Sequence, residues 1–426
     1  MIRILDIENI SPEEFFLRPK ETKDVSNIVK EIIEKVKTEG DSALREYSLK
    51  FDGVELDNLK VTKEEIDEAF SLVDKDFIES LKRASKNIKA FHKKQLRRGF
   101  KLRKNGVLTG QKIIPIEKVG LYVPGGTASY PSTVLMDAIP AIIAGSKEIV
   151  MVTPPKKDGK INPAVLVSAS IAGVTEIIKI GGAQAIGALA YGTETVKKVD
   201  KIVGPGNIFV AEAKRQVFGE VSIDMIAGPS EILVVADKTA NAKFVACDLL
   251  SQAEHDKNAS AVLVTDSKDF AQKVSENIEI EIAKLERNEI ARASIDNNGK
   301  IIVTSDITQA ISVANRIAPE HLELCIENPI KALDKIENAG SVFLGHFTPE
   351  ATGDYYAGTN HTLPTSGTAR FSSPLSVDDF IKKTQFISYS KKSLKKAYKD
   401  IDILAKREGL TAHARSATVR FDDDNE

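Results

Sequence analysis

The first part of the chain, from about residue 24 to residue 98, has apolar positions at helical spacing. Apolar side chains recur there at intervals of three and four residues, which places them on one face of a helix. The longest such face consists of Phe77, Leu81, Ala84, Ile88 and Phe91. The pattern therefore predicts a helical segment that contains at least one long amphipathic helix.

The pattern changes near residue 112, where short apolar runs begin to alternate with helical segments and glycine turns. The first series of runs is KIIPI (112–116), KVGLYV (118–123), EIVMVT (148–153), EIIKI (176–180), KIV (201–203) and EILVVA (231–236). Helical patterns fall between them at about 131–144, 162–172, 183–190 and 208–218. Such alternation predicts a parallel sheet with helices on both faces.

A second series of the same kind follows. Its runs are SAVLVT (260–265), KIIVT (300–304), LELCI (322–326) and SVFLG (341–345). Segment 267–293 has Glu, Lys and Ile at helical spacing, so its charges are expected on a solvated face. From about residue 376 the pattern is helical and lysine-rich, and it ends in an acidic tail, FDDDNE, that is expected to be disordered.

Composition excludes several classes of protein. A chain of 426 residues is long enough for two or more domains, and its net charge of −2 gives no basic field for nucleic acid or an anionic membrane. No apolar run reaches the roughly 20 residues that span a bilayer, and the start, MIRILDIENISPEEFF, lacks a signal peptide's apolar region. Two cysteines, Cys247 and Cys325, are too few for a disulfide scaffold. These features lead us to expect a cytoplasmic protein.

Glycine turns follow the ends of several predicted strands. In a parallel sheet, backbone amides and helix N-termini at the carboxyl ends of strands receive phosphate groups. None of these turns is a GxGxxG motif with an acid about 20 residues later. Together they predict a dinucleotide site of non-standard construction. The turns are Gly120–Gly126 (GLYVPGG), Gly181–Gly187 (GGAQAIG), Gly204–Asn207 (GPGN) and Ala227–Ser230 (AGPS).

Proton-transfer groups are concentrated in a few polar segments of the second half of the chain. Glu320 and His321 are adjacent, and two such groups can serve different steps of one reaction. Four of the six histidines lie in such segments. These segments are LLSQAEHD (249–256), APEHLEL (318–324), GDYYAGTNHTLPT (353–365) and REGLTAHARS (407–416). This concentration indicates a metal site with acid–base residues.

A mixed nitrogen and oxygen ligand set is available in the same segments. Gln252 and His255 are three residues apart in a predicted helix and so share a face. Asp354 and His413 could complete the set. Such ligation suits zinc and also tolerates manganese, whereas the absence of any CxxC pair excludes a zinc finger.

These segments together resemble the histidinol dehydrogenase family over nearly the whole chain. The resemblance rests on GLYVPGG, GGAQAI, VDKIVGPGN, AGPSE, LLSQAEHD, APEHLEL, GDYYAGTNHTLPT and EGLTAHARS, in the family's order. It implies oxidation of L-histidinol to L-histidine through L-histidinaldehyde, with two NAD+ and one zinc ion per subunit. It also implies a homodimer in which His413 completes the partner's site.

The resemblance also implies a role for each matching residue. His321 would be the general base of alcohol oxidation, and Glu320 would activate water for aldehyde oxidation. The implied zinc ligands are Gln252, His255, Asp354 and His413. The implied substrate contacts are Ser230, Gln252, His255, His321, Asp354, Glu408 and His413. The implied NAD+ contacts are Tyr122, Gln184 and Asn207.

The implied fold has two incomplete Rossmann-like domains, similar to those of aldehyde dehydrogenases, with small helical tail domains at both ends. The expected divisions are an N-terminal arm (1–24), a catalytic domain (25–118 with 237–375), a NAD-binding domain (119–236) and a helical, dimer-swapped tail (376–426).

Two other functions compete with this interpretation. One is a sibling zinc- and NAD-dependent dehydrogenase acting on another small polar alcohol, against which Glu408 and EGLTAH argue. The other is a zinc hydrolase or metal-binding protein without a nicotinamide cofactor, against which the glycine turns argue. A chemical alternative for the aldehyde step is a thiohemiacetal on Cys325, which shares the strand face of His321 by period-two counting. We favour a core position for this cysteine.

Overall fold

A computed structural model describes residues 1–11, 24–125 and 130–422 of the chain. Gly126, the last residue of the first glycine motif, and the end of the acidic tail lie outside this range. Among the described residues, every helix is too short or too polar to cross a membrane.

The chain divides into two units. The larger unit comprises Met1–Gln95 and Ile116–Phe380, and the smaller unit comprises Leu96–Pro115 and Ile381–Glu426. Both units are therefore built from segments that are distant in sequence.

The first sheet of the larger unit has five parallel strands. They are β4 (Lys118–Tyr122), β5 (Glu148–Val152), β6 (Glu176–Ile178), β7 (Lys201–Val203) and β8 (Ser222–Ile223). Their order is β6-β5-β4-β7-β8, with every neighbour pair parallel. The apolar runs predicted four of these strands, whereas the two-residue edge strand β8 is too short to give a pattern.

The second sheet of the larger unit has six parallel strands. They are β1 (Arg3–Asp6), β9 (Glu231–Ala236), β10 (Ser260–Thr265), β11 (Lys300–Val303), β12 (His321–Cys325) and β13 (Ser341–Leu344). Their order is β1-β11-β10-β9-β12-β13. The predicted α/β class with parallel sheets is confirmed.

One strand of the predicted first series belongs to the second sheet. EILVVA (231–236) is β9, which pairs with β10 on one side and β12 on the other. All six of its residues are buried. A continuous apolar run predicts a buried strand but cannot indicate which sheet receives it, because the pairing partners are distant in sequence.

Helices connect the strands of the larger unit. Three of them start after an asparagine whose side chain accepts hydrogen bonds from amides of the first turn, namely Asn162, Asn207 and Asn241. The helices are α1 (Ser26–Glu39), α2 (Asp41–Tyr47), α3 (Lys63–Leu72), α4 (Lys75–Lys93), α5 (Pro131–Ala144), α6 (Pro163–Ala172), α7 (Gly182–Tyr191), α8 (Ile208–Val217), α9 (Ala242–Ala253), α10 (Lys268–Ile282), α11 (Asn288–Asn298), α12 (Ile307–Ile317), α13 (Pro329–Leu333) and α14 (Glu350–Tyr355).

The first four helices pack on the five-stranded sheet. Leu44 of α2 is fully buried in one cluster with Ile178 and Ile202, and Ile88 of α4 is buried in another with Leu121. Apolar surface of these helices is therefore buried on β4 and its neighbours, although the predicted domains group residues 25–118 with 237–375.

The smaller unit contains an antiparallel sheet. Its strands are β2 (Phe100–Lys104), β3 (Val107–Pro115) and β14 (Ile381–Tyr389), in the order β14-β3-β2, and two helices follow, α15 (Lys391–Arg407) and α16 (Thr411–Thr418). KIIPI (112–116) is thus mostly part of β3, outside the parallel sheets.

The strand β14 differs from the helix that the lysine-rich pattern predicted from about residue 376. Its sequence, IKKTQFISY, is paired with β3 over all nine residues, from Ile381 opposite Pro115 to Tyr389 opposite Val107. The β-branched and aromatic residues in this run favour the strand once a partner is present. Tertiary pairing therefore outweighs the local helical pattern at this position.

Candidate active site

A cavity of about 430 Å³ in the larger unit is lined by residues from both parallel sheets. One part of the lining is the turn Gly204–Asn207, which follows β7 at the carboxyl edge of the five-stranded sheet. Another part consists of Ser230, Glu320 and His321, which lie at the amino edge of the six-stranded sheet, where β9 and β12 begin. The cavity thus joins the carboxyl edge of one sheet to the amino edge of the other.

Main-chain atoms of Glu231 hold the two adjacent residues that the sequence singled out. The Glu231 N–H donates to Glu320 Oε2 at 2.9 Å, and His321 Nδ1 lies 3.0 Å from the Glu231 carbonyl oxygen. Because a carbonyl can only accept, Nδ1 carries a proton and donates it. In a neutral ring, Nε2 is then the basic nitrogen, and it is buried without a hydrogen-bond partner.

Carboxylates surround this imidazole. His321 Nε2 lies 3.6 Å from Asp354 Oδ1 and 3.9 Å from Glu350 Oε1, and Nδ1 lies 3.8 Å from Glu320 Oε2. Burial alone would lower the pKa of His321, but the charges of Glu350, Glu320 and Asp354 outweigh it and raise that pKa well above its usual value. The surrounding carboxylates therefore favour the protonated form of this ring.

Glu320 has an environment that suits a carboxylic acid near neutral pH. Burial raises the pKa of Glu320 to about 8, and the nearby His321 charge and the Glu231 amide oppose that shift only in part. A carboxyl with such a pKa can exchange a proton within the physiological range.

Gln252 and His255 line the same cavity but occupy different local structures. Gln252 is the penultimate residue of α9, whereas His255 lies beyond the end of that helix, with its N–H donating to the Gln252 carbonyl at 3.0 Å. The prediction that both lie within one helix is therefore wrong by two residues. The turn at the helix end still directs both side chains to the cavity.

The donor atoms around Asp354 fit a divalent cation. The Gln252 amide donates to Glu350 Oε1, and Gln252 Oε1 is left buried without a partner. Burial lowers the pKa of His255, which favours the neutral imidazole that binds metals. Although burial disfavours ionisation of Asp354, His321 and the other histidines lower its pKa, so it remains a carboxylate. Gln252, His255 and Asp354 thus offer one nitrogen and two oxygen ligands.

A second donor set overlaps the first. Ligand atoms of His321, Glu350 and Asp354 lie within 4.8 Å of one another and could also hold a cation. Asp354 is therefore the residue that the two donor sets share.

The sequence patterns did not predict a role for two residues of this site, Glu350 and His361. Glu350 is 3% exposed and lies one helical turn before Asp354 on α14, so the i, i+4 spacing could have indicated it. His361 lies in a segment noted for its polar residues but received no role. Its ring places Nδ1 3.1 Å from the Asp354 carbonyl oxygen and Nε2 3.1 Å from Thr133 Oγ1.

Glu408 and His413 belong to the smaller unit. Glu408 follows the last residue of α15, and His413 lies on α16. Both are exposed in the chain. Their exposure leaves both side chains available for contacts with other groups.

A second cavity, of about 840 Å³, contains the three residues expected to contact a dinucleotide. Tyr122, Gln184 and Asn207 all line it. The Tyr122 hydroxyl accepts a hydrogen bond from Gly182 N–H at 3.1 Å, and Asn207 caps the start of α8. Asn207 and Gly125 also line the 430 Å³ cavity, so the two cavities adjoin.

A buried ion pair supports the turn between the cavities. Lys214 and Asp224 form this pair, and both side chains are almost fully buried. Lys214 Nζ donates to the Gly204 carbonyl at 3.0 Å, and the Gly204 N–H donates to Asp224 Oδ2 at 2.8 Å. Gly204 has φ +114, and a Cβ there would lie 2.1 Å from the Tyr122 carbonyl oxygen, so only glycine fits.

Three of the four glycine turns follow strands of the five-stranded sheet, as predicted. The fourth, Ala227–Ser230, instead precedes β9 and lies at the amino edge of the six-stranded sheet. It lines the cavity that holds Glu320 and His321 rather than the larger one. Its position agrees with a contact to the reacting molecule better than with a contact to a dinucleotide phosphate.

Cys325 lies away from the cavity lining. It is 5% exposed, lies four residues after His321 on β12 and is in contact with Glu323. Burial and the nearby carboxylates raise the pKa of its thiol well above the usual value. Cys247 is exposed on α9. Neither cysteine lines the described part of the cavity, which favours the core position over a thiohemiacetal role.

Comparisons with known proteins agree with one another. The family described as histidinol dehydrogenase matches residues 17–421. The histidinol dehydrogenase of Clostridium acetobutylicum is 54% identical over 427 residues, covering 99% of each chain, and that of Streptococcus mutans is 56% identical over 417 residues, covering 98% of this chain and 97% of the relative. The crystal structure of histidinol dehydrogenase from Elizabethkingia anophelis matches with a TM-score of 0.95 at 43% identity, covering 100% of this chain and 99% of that one.

Proposed function

The chain belongs to the histidinol dehydrogenase family, and on that premise we propose that it oxidises L-histidinol through L-histidinaldehyde to L-histidine in two NAD+-linked steps. These would be the final steps of histidine biosynthesis. The observation that carries the proposal is the pair Glu320 and His321 in a cavity that adjoins the cavity of Tyr122 and Gln184. The residues proposed as the base and as the water-activating carboxyl thus line a cavity beside the one proposed for the hydride acceptor.

In the first step, His321 takes the hydroxyl proton of histidinol as the hydride leaves the carbinol carbon. NAD+, when bound, supplies the hydride acceptor. The hydrogen bond from Nδ1 to the Glu231 carbonyl fixes the tautomer in which Nε2 is the base. A base positioned in this way contributes roughly 10²–10⁴-fold to the rate.

In the second step, Glu320 takes a proton from the water that adds to the aldehyde carbon, and a second hydride then leaves that carbon. A second NAD+, when bound, would accept that hydride, and the resulting acid loses its remaining proton to water, which gives the carboxylate product. The Glu231 N–H donates to Oε2 of Glu320 and so fixes the orientation of this carboxylate. The buried thiol of Cys325 is not needed.

A divalent cation, held by Gln252, His255 and Asp354 and by His413 of the partner subunit, would bind the imidazole and amine of histidinol and offset the negative charge around His321. Zinc fits this ligand set, and the unpartnered Gln252 Oε1 is the observation that supports it. Ser230 and Glu408 would complete the substrate contacts. The shared site requires a homodimer.

The proposed reaction is tested by its stoichiometry. Purified protein with zinc, NAD+ and L-histidinol should form two NADH per histidine, with little free aldehyde, because both proton acceptors lie in one cavity. NADH absorbance and quantified histidine give the ratio, and other small polar alcohols serve as controls. A ratio of one with aldehyde accumulating would contradict the two-step proposal.

The two proton acceptors should separate by step. We expect Glu320→Gln to lower aldehyde oxidation by about 10²–10⁴-fold while affecting alcohol oxidation less, and His321→Asn to lower mainly alcohol oxidation. Supplying the aldehyde directly isolates the second step.

The wild-type rate of that second step should rise with pH as Glu320 ionises, with a midpoint near its pKa of about 8, because only the carboxylate accepts a proton. This dependence should be absent in Glu320→Gln. Equal losses in alcohol and aldehyde oxidation for both Glu320→Gln and His321→Asn would contradict the division of roles between these two residues.

Zinc titration of metal-stripped protein should distinguish the two overlapping donor sets. Glu350→Gln removes a charge beside a ligand and should weaken zinc binding by about 10–100-fold. Gln252→Leu removes a proposed ligand and should weaken it further. NAD+ affinity is the control, because Gln252 and Glu350 do not line the larger cavity. A greater loss for Glu350→Gln than for Gln252→Leu would favour the set of His321, Glu350 and Asp354.

Mixed dimers test the role of His413. His413→Asn and Asp354→Asn should each inactivate their homodimers. After unfolding and refolding of an equal mixture, about a quarter of wild-type activity should return, since half of the dimers are mixed and each has one intact site. If mass spectrometry detects mixed dimers but no activity returns, His413 serves its own chain.

A further inference from the structure

Three acidic residues, Asp248, Glu323 and Glu350, lie on elements that also carry site residues, namely α9, β12 and α14. Asp248 precedes Gln252 by four residues on α9, and Glu350 precedes Asp354 by four residues on α14. Glu323 follows His321 by two residues on β12. Helical and strand periodicities place each of these acids on the same face as its partner in the site.

Hydrogen bonds and a close approach of carboxyl groups connect these three residues. The carboxyl groups of Asp248 and Glu323 lie close together, with ligand atoms within 4.8 Å of each other. Glu323 Oε1 accepts the Glu350 N–H at 2.8 Å. Glu350 in turn accepts from the Gln252 amide, and its second oxygen accepts from Ser251 Oγ at 3.2 Å. The connections therefore run from α9 through β12 to α14 and back to α9.

The start of α14 depends on this arrangement. Its six residues follow Pro349, whose side chain cannot accept a hydrogen bond, and no side chain at that position caps the helix. The first amide of the helix belongs to Glu350, which is 3% exposed, so water cannot readily satisfy it. Glu323, 1% exposed in the adjacent strand, supplies the acceptor instead.

We propose that Glu323 is a positioning residue that holds α14, and with it Asp354 and Glu350, in register with Gln252. This role rests on the proposed function, because it assumes that Asp354 and Gln252 act together on one cation. Glu323, two residues after His321 on β12, would thereby fix the relative positions of proposed ligands on α9 and α14.

A different use of the same atoms is a second cation site. Asp248, Glu323 and Cys325 offer ligand atoms within 4.8 Å of one another. One Glu323 oxygen already accepts from the Glu350 amide, and the other lies 3.8 Å from Cys325 Sγ. Both contacts favour the positioning role over a cation.

The test compares two substitutions of Glu323 in the full chain. Glu323→Met keeps the length of the side chain but removes both acceptors. Glu323→Gln keeps an oxygen for the Glu350 amide and gains an N–H for Asp248. Cys325→Ala is the matched control, since it alters a neighbour of Glu323 without touching α14. Zinc affinity of metal-stripped protein, NAD+ affinity, kcat and KM are measured for each.

We expect Glu323→Met to weaken zinc binding by about 10–100-fold and to lower kcat, while NAD+ affinity stays within about threefold of wild type. Glu323→Gln and Cys325→Ala should bind zinc within about threefold of wild type. Unchanged zinc affinity in Glu323→Met, or equal losses in Glu323→Met and Glu323→Gln, would overturn the proposal. A finding of two zinc ions per wild-type chain, one of which is lost in both Glu323 variants, would also overturn the proposal.

Two further results keep the tests separate. If wild-type protein neither binds zinc nor oxidises histidinol, the proposed function fails rather than the role of Glu323. If Glu323→Met does not fold, Glu323→Met/Pro349→Ser decides, because a serine at the N-cap accepts from the second or third amide of α14 and so supports the helix start without replacing the acceptor for the Glu350 amide. That double variant should fold but still bind zinc about 10–100-fold less tightly than wild type. Failure to fold, or wild-type zinc affinity, counts against the proposal.

Discussion

The rest of the site depends on two hydrogen bonds made by the main chain of Glu231. The N–H of Glu231 holds the carboxylate of Glu320, and its carbonyl holds the imidazole of His321. Both anchoring groups belong to the first residue of a buried strand in the middle of a six-stranded sheet. A main-chain anchor cannot rotate as a side chain can, so the sheet itself fixes the orientation of the base and the tautomer of its ring.

Negative charge is the second constraint. Carboxyl groups of Glu320, Glu350 and Asp354 lie within 4 Å of His321 in a buried place. An unpaired carboxylate there is unfavourable in free energy, because burial removes its hydration. Nothing among the described side chains of the cavity lining supplies a lysine or arginine to balance them. A cation bound beside Asp354 would remove this excess and allow His321 to be neutral when it must accept a proton. The same carboxylates would thus account for metal affinity and, without a metal, for the raised pKa of His321.

The sequence predicted the layers of the fold better than the assignment of strands to sheets. Apolar runs identify buried strands such as β10 because burial on both faces leaves a continuous pattern. The pattern has no information on pairing, so β9 and β3 were assigned to the wrong sheet and β14 was predicted as a helix. In the site, the glycine and histidine motifs indicated the residues at the surface of the cavities. Glu323 and Glu350 are buried behind them, and their roles depend on hydrogen bonds between distant elements that no local pattern contains.

The pairing of β14 with β3 has a consequence for the order of folding. These nine-residue partners are separated in the chain by the whole of Ile116–Phe380. Closing so long a loop costs entropy, which is recovered only when both strands are present. A ribosome must therefore complete the larger unit's sequence before the smaller sheet can form. The helices that follow β14, including the one with His413, leave the ribosome later still, so any contact that needs them can form only after β14 has been synthesised.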